Sequence, residues 1–198
     1  MKQVILIGGG TTFSSYEKYL EYLQTKTVSI DRLMHNPSWK ESLQKKLGNK
    51  YLVLQPSMPN KTNARYNEWA LWFSRITEVI EENCVLVGHS LGGCFLVKYL
   101  SENTFPKKIR ATILLAAPFD DESIEDLTDF KLHDISDLFR KQAGKMVFFA
   151  GTDDPVVPFH ETQKYKKRLP DAEYIVTPAP DHFVRAEFPE IVAKIKEF

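Results

Sequence analysis

Residues 88–93 read Gly-His-Ser-Leu-Gly-Gly and follow the apolar run Cys84-Val85-Leu86-Val87. A serine hydroxyl is a poor nucleophile unless geometry and a nearby base activate it. G-x-S-x-G at the end of a buried strand, with a helical stretch beginning at Gly92, supplies the geometry. A sharp strand-to-helix turn lifts Ser90 clear of the sheet and aims the backbone N–H of Leu91 at an oxygen that becomes negative. Gly88 and Gly92 suit such a turn because a Cβ there would clash. Three fixed positions also describe an incidental glycine-rich turn, so the nucleophile reading needs a base and an orienting acid elsewhere. His89 is adjacent in the turn and points away from Ser90; it reads as a brace, not as the base.

An elbow serine requires the chain order Ser, then Asp or Glu, then His, each on a loop after a strand. Two apolar runs end in suitable loops: Gly151-Thr152-Asp153-Asp154-Pro155-Val156-Val157-Pro158 and Thr177-Pro178-Ala179-Pro180-Asp181-His182-Phe183. In these roles His182 takes the Ser90 proton, and Asp154 orients the ring and stabilises the imidazolium. Asp153 competes with Asp154. An acid before a turn-forming proline is common, and a single histidine is often a surface residue. The two together, in order at the last two strand ends, point to Ser90, Asp154 and His182 as a catalytic set. His35, His133 and His160 occupy no matching place, and Asp181 reads as a loop neighbour. With no H-x-x-x-H or C-x-x-C pairing, no metal or other cofactor is expected.

These residues need elements to position them. Six short apolar runs read as buried parallel strands: Val4–Ile7, Tyr51–Leu54, Val85–Val87, Thr112–Ala116, Met146–Ala150 and Tyr174–Val176. Helical stretches fall between them. The pattern is α/β, a three-layer α/β/α sandwich on a six-stranded, mostly parallel sheet. The helix read from Asn63 to Ile80 sets Tyr66, Trp69, Trp72, Phe73, Ile76, Val79 and Ile80 on one side, a stripe that packs on the sheet. The last helix, Pro189 to Phe198, turns Ile191, Val192 and Ile195 inward.

Ligands in such sheets bind beyond the C-terminal strand ends, where strand order reverses. If strand one is central and strand three pairs beside it, Gly8-Gly9-Gly10 and the Ser90 elbow meet there. The glycine loop is a tight turn, a dinucleotide phosphate loop, or an oxyanion loop whose N–H joins that of Leu91. The G-x-G-x-x-G spacing is missing, which disfavours the nucleotide.

The 198 residues are 43% hydrophobic with 26 basic and 26 acidic side chains, enough for one compact domain with a sizeable core. Zero net charge gives no electrostatic draw to nucleic acid or an anionic membrane. No apolar run approaches the about 18 residues of a membrane span. The N-terminal Met1–Ile7 run is too short for a signal-peptide core. Cys84 and Cys94 read as buried reduced thiols, which fits a cytoplasmic location.

The motifs Gly-His-Ser-Leu-Gly-Gly, Gly-Thr-Asp-Asp-Pro-Val-Val-Pro and Asp-His-Phe resemble those of the α/β-hydrolase superfamily. With Gln55-Pro56-Ser57-Met58-Pro59 and the pattern around Trp69, the chain is similar to small serine hydrolases of the retinoblastoma-binding protein nine type and their bacterial relatives. The resemblance runs from Val4 to the last helix. It implies hydrolysis of esters or related acyl bonds. It places the acid on Asp154, two residues before Val156-Val157, and the oxyanion donors on Gly9 and Leu91. The alternatives are a non-catalytic binding protein on the same fold, or an acyltransferase. The expected partner is a small acyl substrate.

The chain departs from the pattern at residues 14–36, which read as a helical insertion in the single domain 1–198. Tyr16, Tyr19, Leu20 and Leu23 share one side of a helix there, either a lid over the site or a helix packed on its rim. The acid-rich stretch Phe119 to Lys141 reads as a solvated cap, with an acidic docking face as the weaker reading. Lys164, Lys166, Lys167 and Arg168 read as a solvated helix face.

Overall fold

A computed structural model describes residues 1–34, 37–120 and 126–198, with only the backbone of residues 31 and 32. Six strands form one sheet: β1 (Lys2–Ile7), β2 (Tyr51–Leu54), β3 (Cys84–His89), β4 (Ile109–Leu115), β5 (Lys145–Gly151) and β6 (Glu173–Thr177). Every neighbouring pair is parallel, in the order β2-β1-β3-β4-β5-β6. The expected run of parallel strands is therefore present, each a residue or more longer than its apolar stretch except β2.

The reason lies in the period of two along a strand. In β1, Val4 and Leu6 enter one core and Ile5 and Ile7 the other. With both faces covered, the strand has no polar side and reads as a continuous apolar run. One face carries α3 (Trp39–Leu47) and α8 (Pro189–Lys196), through Trp39, Leu43, Leu47, Ile191 and Ile195. The other carries α4 (Tyr66–Thr77), α5 (Leu91–Glu102), α6 (Asp137–Gln142) and α7 (Phe159–Arg168). These are the three expected layers.

The stripe on α4 is narrower than its sequence suggests. Tyr66, Trp69 and Phe73 are buried at i, i+3 and i+7, and Phe95 of α5 meets all three rings at 5.4–6.0 Å. Trp72 is 46% exposed because it sits at the edge of that stripe, and Val79 is 72% exposed because the helix has ended. The acid-rich stretch is more than a solvated cap. Leu127, Phe130, Leu132, Ile135 and Phe139 enter the core, and Asp129 accepts the Tyr66 N–H at the start of α4 at 3.0 Å. Asp121, Glu122 and Glu125 lie outside the described residues, as does His35 at the end of the 14–36 segment.

Within that segment, α1 (Tyr16–Thr25) is capped by Ser15, whose hydroxyl accepts from the Lys18 N–H, and a single turn, α2, spans Ile30–Leu33. None of the ten residues of α1 is buried. Its contact is with Phe13, whose ring lies 5.4 Å from Tyr19 and 5.0 Å from Tyr22.

Candidate active site

The strand order reverses between β1 and β3, and the loops after these two strands meet. Ser90 occupies φ +55°, ψ −127°, a region that costs a non-glycine residue about 1–3 kcal/mol. The strain is imposed by packing on both sides. A Cβ at Gly88 would lie 2.6 Å from the Gly93 Cα, and one at Gly92 would lie 2.4 Å from the Ile7 carbonyl oxygen. α5 therefore starts pressed against the end of β1. Ser90 N–H donates to Leu115 O at 2.8 Å and Ser90 O accepts from Gly93 N–H at 2.8 Å, which pins the turn from both ends. Leu91 is the first residue of α5, where helical N–H groups lack partners within the helix. Gly9 passes over the serine: a Cβ there would lie 3.2 Å from the Ser90 Cβ and 3.7 Å from its Oγ.

The loops after β5 and β6 converge at the same edge of the sheet. His182 Nδ1 lies 2.9 Å from Asp154 Oδ1 and 2.8 Å from Oδ2. Asp154 Oδ1 also accepts the N–H groups of Val156 and Val157, each at 2.9 Å. The carboxylate is thus fixed by the turn that Pro155 begins, and it holds the proton of His182 on Nδ1. The Nε2 lone pair is left available as a base. Asp153, the competitor, points elsewhere and accepts the Ala179 N–H at 2.7 Å. Asp181 pairs with Arg185 at 2.6 Å, and this partner holds its carboxyl below the usual range.

His182 and Phe183 both adopt φ +52°, so the histidine loop needs outside support. Three bonds from distant parts of the chain provide it. His89 Nε2 donates to the His182 carbonyl at 2.9 Å, Trp39 Nε1 donates to the Phe183 carbonyl at 2.9 Å, and Trp39 N–H donates to the Arg185 carbonyl at 2.8 Å. His89 is a brace, but one that holds the histidine loop as well as ending β3; its ring lies 4.9 Å from that of His182. Its Nδ1 accepts from the Lys40 ammonium at 2.9 Å. Burial first, and the nearby Lys40 charge second, hold His89 well below the ordinary histidine range, so it stays neutral. The Ser38 capping box marks where α3 begins, but no sequence signal connects Trp39 or Lys40 to the loop around His182.

Cys84 and Cys94 are no rivals to Ser90. Both are buried and unpaired; burial pushes the Cys84 thiol up to about 12 and Cys94 upward as well. Neither carries the thiolate that attack requires near neutral pH. On α7 the expected solvated lysine face is partly wrong. The Lys164 side chain is 18% exposed and bridges Asp120 at 2.5 Å and the fully buried Glu161 at 2.7 Å. Glu161 in turn accepts the N–H groups of Phe119 and Asp120 at 2.6 and 3.0 Å, clamping the loop after β4. The Arg168 guanidinium lies 4.4 Å above the Phe119 ring.

Residues 34–189 match the family described as serine hydrolase. The match begins beyond Gly9 and α1. The rat protein serine hydrolase RBBP9 is 27% identical over 149 residues, 74% of this chain and 77% of the rat protein. Among solved structures, the ydeN gene product from B. subtilis has a TM-score of 0.78 at 19% identity, covering 100% of this chain and 98% of that one. Polyneuridine aldehyde esterase has a TM-score of 0.64 at 12% identity, covering 100% and 98%. These two likenesses concern the fold, which is that of the α/β hydrolases.

Proposed function

Since the chain belongs to the serine hydrolase family, we propose that it cleaves a small ester or related acyl bond with Ser90, His182 and Asp154, while Gly9 and Leu91 hold the oxyanion. The observation that carries this reading is the two-oxygen grip of Asp154 on His182 Nδ1, at the sheet edge where Ser90 is held in a strained turn.

Ser90 Oγ attacks the acyl carbon as its proton passes to His182 Nε2. The carbonyl oxygen becomes negative and is met by the N–H groups of Gly9 and Leu91; one such donor typically contributes about 3–4 kcal/mol of barrier lowering. The bond to the leaving oxygen breaks, and that oxygen takes the proton from His182. Water then attacks the acyl-enzyme, gives its proton to His182, and Ser90 leaves reprotonated. Asp154 stays ionised throughout and stabilises the imidazolium.

Residues 1–198 act as one domain in this reading, with 14–36 inserted into it, and no cofactor takes part. The partner is a small acyl substrate; zero net charge offers nucleic acid nothing to hold. Among the described residues no helix is long and apolar enough to cross a membrane. Two buried free thiols fit a reducing, cytoplasmic setting. Wild type is expected to be labelled by a fluorophosphonate probe and Ser90→Ala is not. Equal labelling of the two sinks the assignment of Ser90. A folded wild type that never reacts favours the non-catalytic alternative, and added alcohol or amine acceptors separate hydrolysis from acyl transfer by product ratio.

A further inference from the structure

A cleft of about 330 Å³ opens at the C-terminal ends of β1 and β2, between Gly9 on one side and Gln55, Ser57 and Met58 on the other. Two ammonium groups, Lys40 and Lys61, line it. Among the described residues neither has a carboxylate partner. Lys40 donates to the neutral His89 ring at 2.9 Å, and Lys61 fixes the glycine loop only through its backbone carbonyl, which accepts the Thr11 N–H at 2.8 Å. Most lysines on a neutral chain find acids or open solvent. Here two lysines line one cavity: Lys61 is exposed to solvent, while Lys40 is largely withdrawn from it. An ammonium in that position is costly unless an anion joins it. The strain registers on Lys40, which burial, and then the charge of Lys61, bring down to about 8.

The cleft adjoins the proposed reaction centre through Gly9. Gly9 is both its wall and the residue that passes over Ser90, and Lys40 is bonded to the residue before Ser90. Resting on the hydrolase reading above, we propose that the substrate carries a carboxylate, which Lys40 and Lys61 receive while its acyl carbon lies at Ser90. The amide of Gln55 and the hydroxyl of Ser57 offer further donors, while Met58 and Pro56 offer apolar contact for a short spacer between the charge and the carbonyl.

The test uses two matched pairs of esters with the full chain. The mono-4-nitrophenyl ester of adipic acid is compared with 4-nitrophenyl hexanoate, which puts the charge on the acyl side. 4-Acetoxybenzoate is compared with its methyl ester, which puts it on the leaving group. In one pair at least, kcat/KM for the acid is expected to exceed that for the neutral ester by about tenfold, the order of a charge-assisted contact. Lys61→Gln is expected to remove that preference and Lys61→Arg to retain it. A wild type without preference in either pair, or the same preference in Lys61→Gln, overturns the proposal while leaving the hydrolase reading intact. If no ester is turned over and the probe does not react, the hydrolase reading fails, and adipate binding by calorimetry tests the cleft directly. About tenfold tighter binding by wild type than by Lys61→Gln then sustains the anion site; equal or absent binding overturns it.

Discussion

The acidic member of the set illustrates how far single residues can be read from a sequence. Asp153 and Asp154 are adjacent, and composition cannot separate them. The backbone does: Pro155 turns the chain so that the N–H groups of Val156 and Val157 grasp Asp154 Oδ1, leaving both oxygens facing His182. The same geometry sets the outcome of an amide substitution. In Asp154→Asn the side-chain oxygen stays with the two N–H groups, so the NH2 faces His182 Nδ1. The ring must then carry its proton on Nε2 and can no longer receive the proton of Ser90. A fall in kcat of about 10⁴ is expected, as for a buried triad aspartate elsewhere, whereas Asp153→Asn retains an oxygen for the Ala179 N–H and changes kcat only a few-fold. Steady-state kinetics on any hydrolysed ester decide it; comparable losses in both variants would refute the division of labour. Lys40 and Trp39 were illegible for another reason. Their contacts, to His89 and Phe183, span 49 and 144 residues, and no periodicity encodes a pairing of that length.

Elements were more legible than contacts. The four central strands are largely buried on both faces and so stand out in the sequence as apolar runs, and the partly buried edge strands β2 and β6 are apolar enough to be read the same way. The apolar face of α4 is narrower than its sequence suggests, because Trp72 lies at the edge of the stripe and Val79 beyond the helix end. The sequence marks α1 as amphipathic and allows it two roles, lid or rim packing. A helix that stabilises the rim would bury its apolar side. α1 buries none of its residues, and Leu23 is 49% exposed. Replacing residues 16–33 with a short glycine-serine linker is therefore expected to leave the melting temperature within a few degrees, since little apolar area is lost from the core. It is expected to shift the chain-length preference for alkyl esters, because α1 begins a few residues after the Gly8–Gly10 loop. An unchanged ester profile in a folded deletion variant would exclude a lid.

For the whole molecule, the parallel sheet and its three layers follow from the strand pattern, whereas the full strand order and the long-range ties that lock its functional edge do not. Those ties have a pH signature. Unfolded, His89 titrates near about 6.5; folded, burial and Lys40 hold it well below that. Above about pH 6.5 the ring is neutral in both states and costs nothing. As pH falls below it, the unfolded chain gains a proton that the native chain refuses, and stability is lost by up to about 1.4 kcal/mol per unit. Urea unfolding at pH 7.0 and 5.5 is expected to show a smaller loss for His89→Asn than for wild type; identical losses would rule out His89 as a source of acid sensitivity. The bond from Trp39 to Phe183 has a consequence in time. Ser90 and its turn are synthesised before β4, β5, β6 and the histidine loop that follows them. Parallel pairing and contacts of such sequence separation close late. Until that loop emerges, Trp39 and His89 lack the carbonyls they hold in the folded chain, and the proposed nucleophile lacks its base. Of the three groups proposed for catalysis the base is made last, so the order of synthesis itself withholds the activator from the serine.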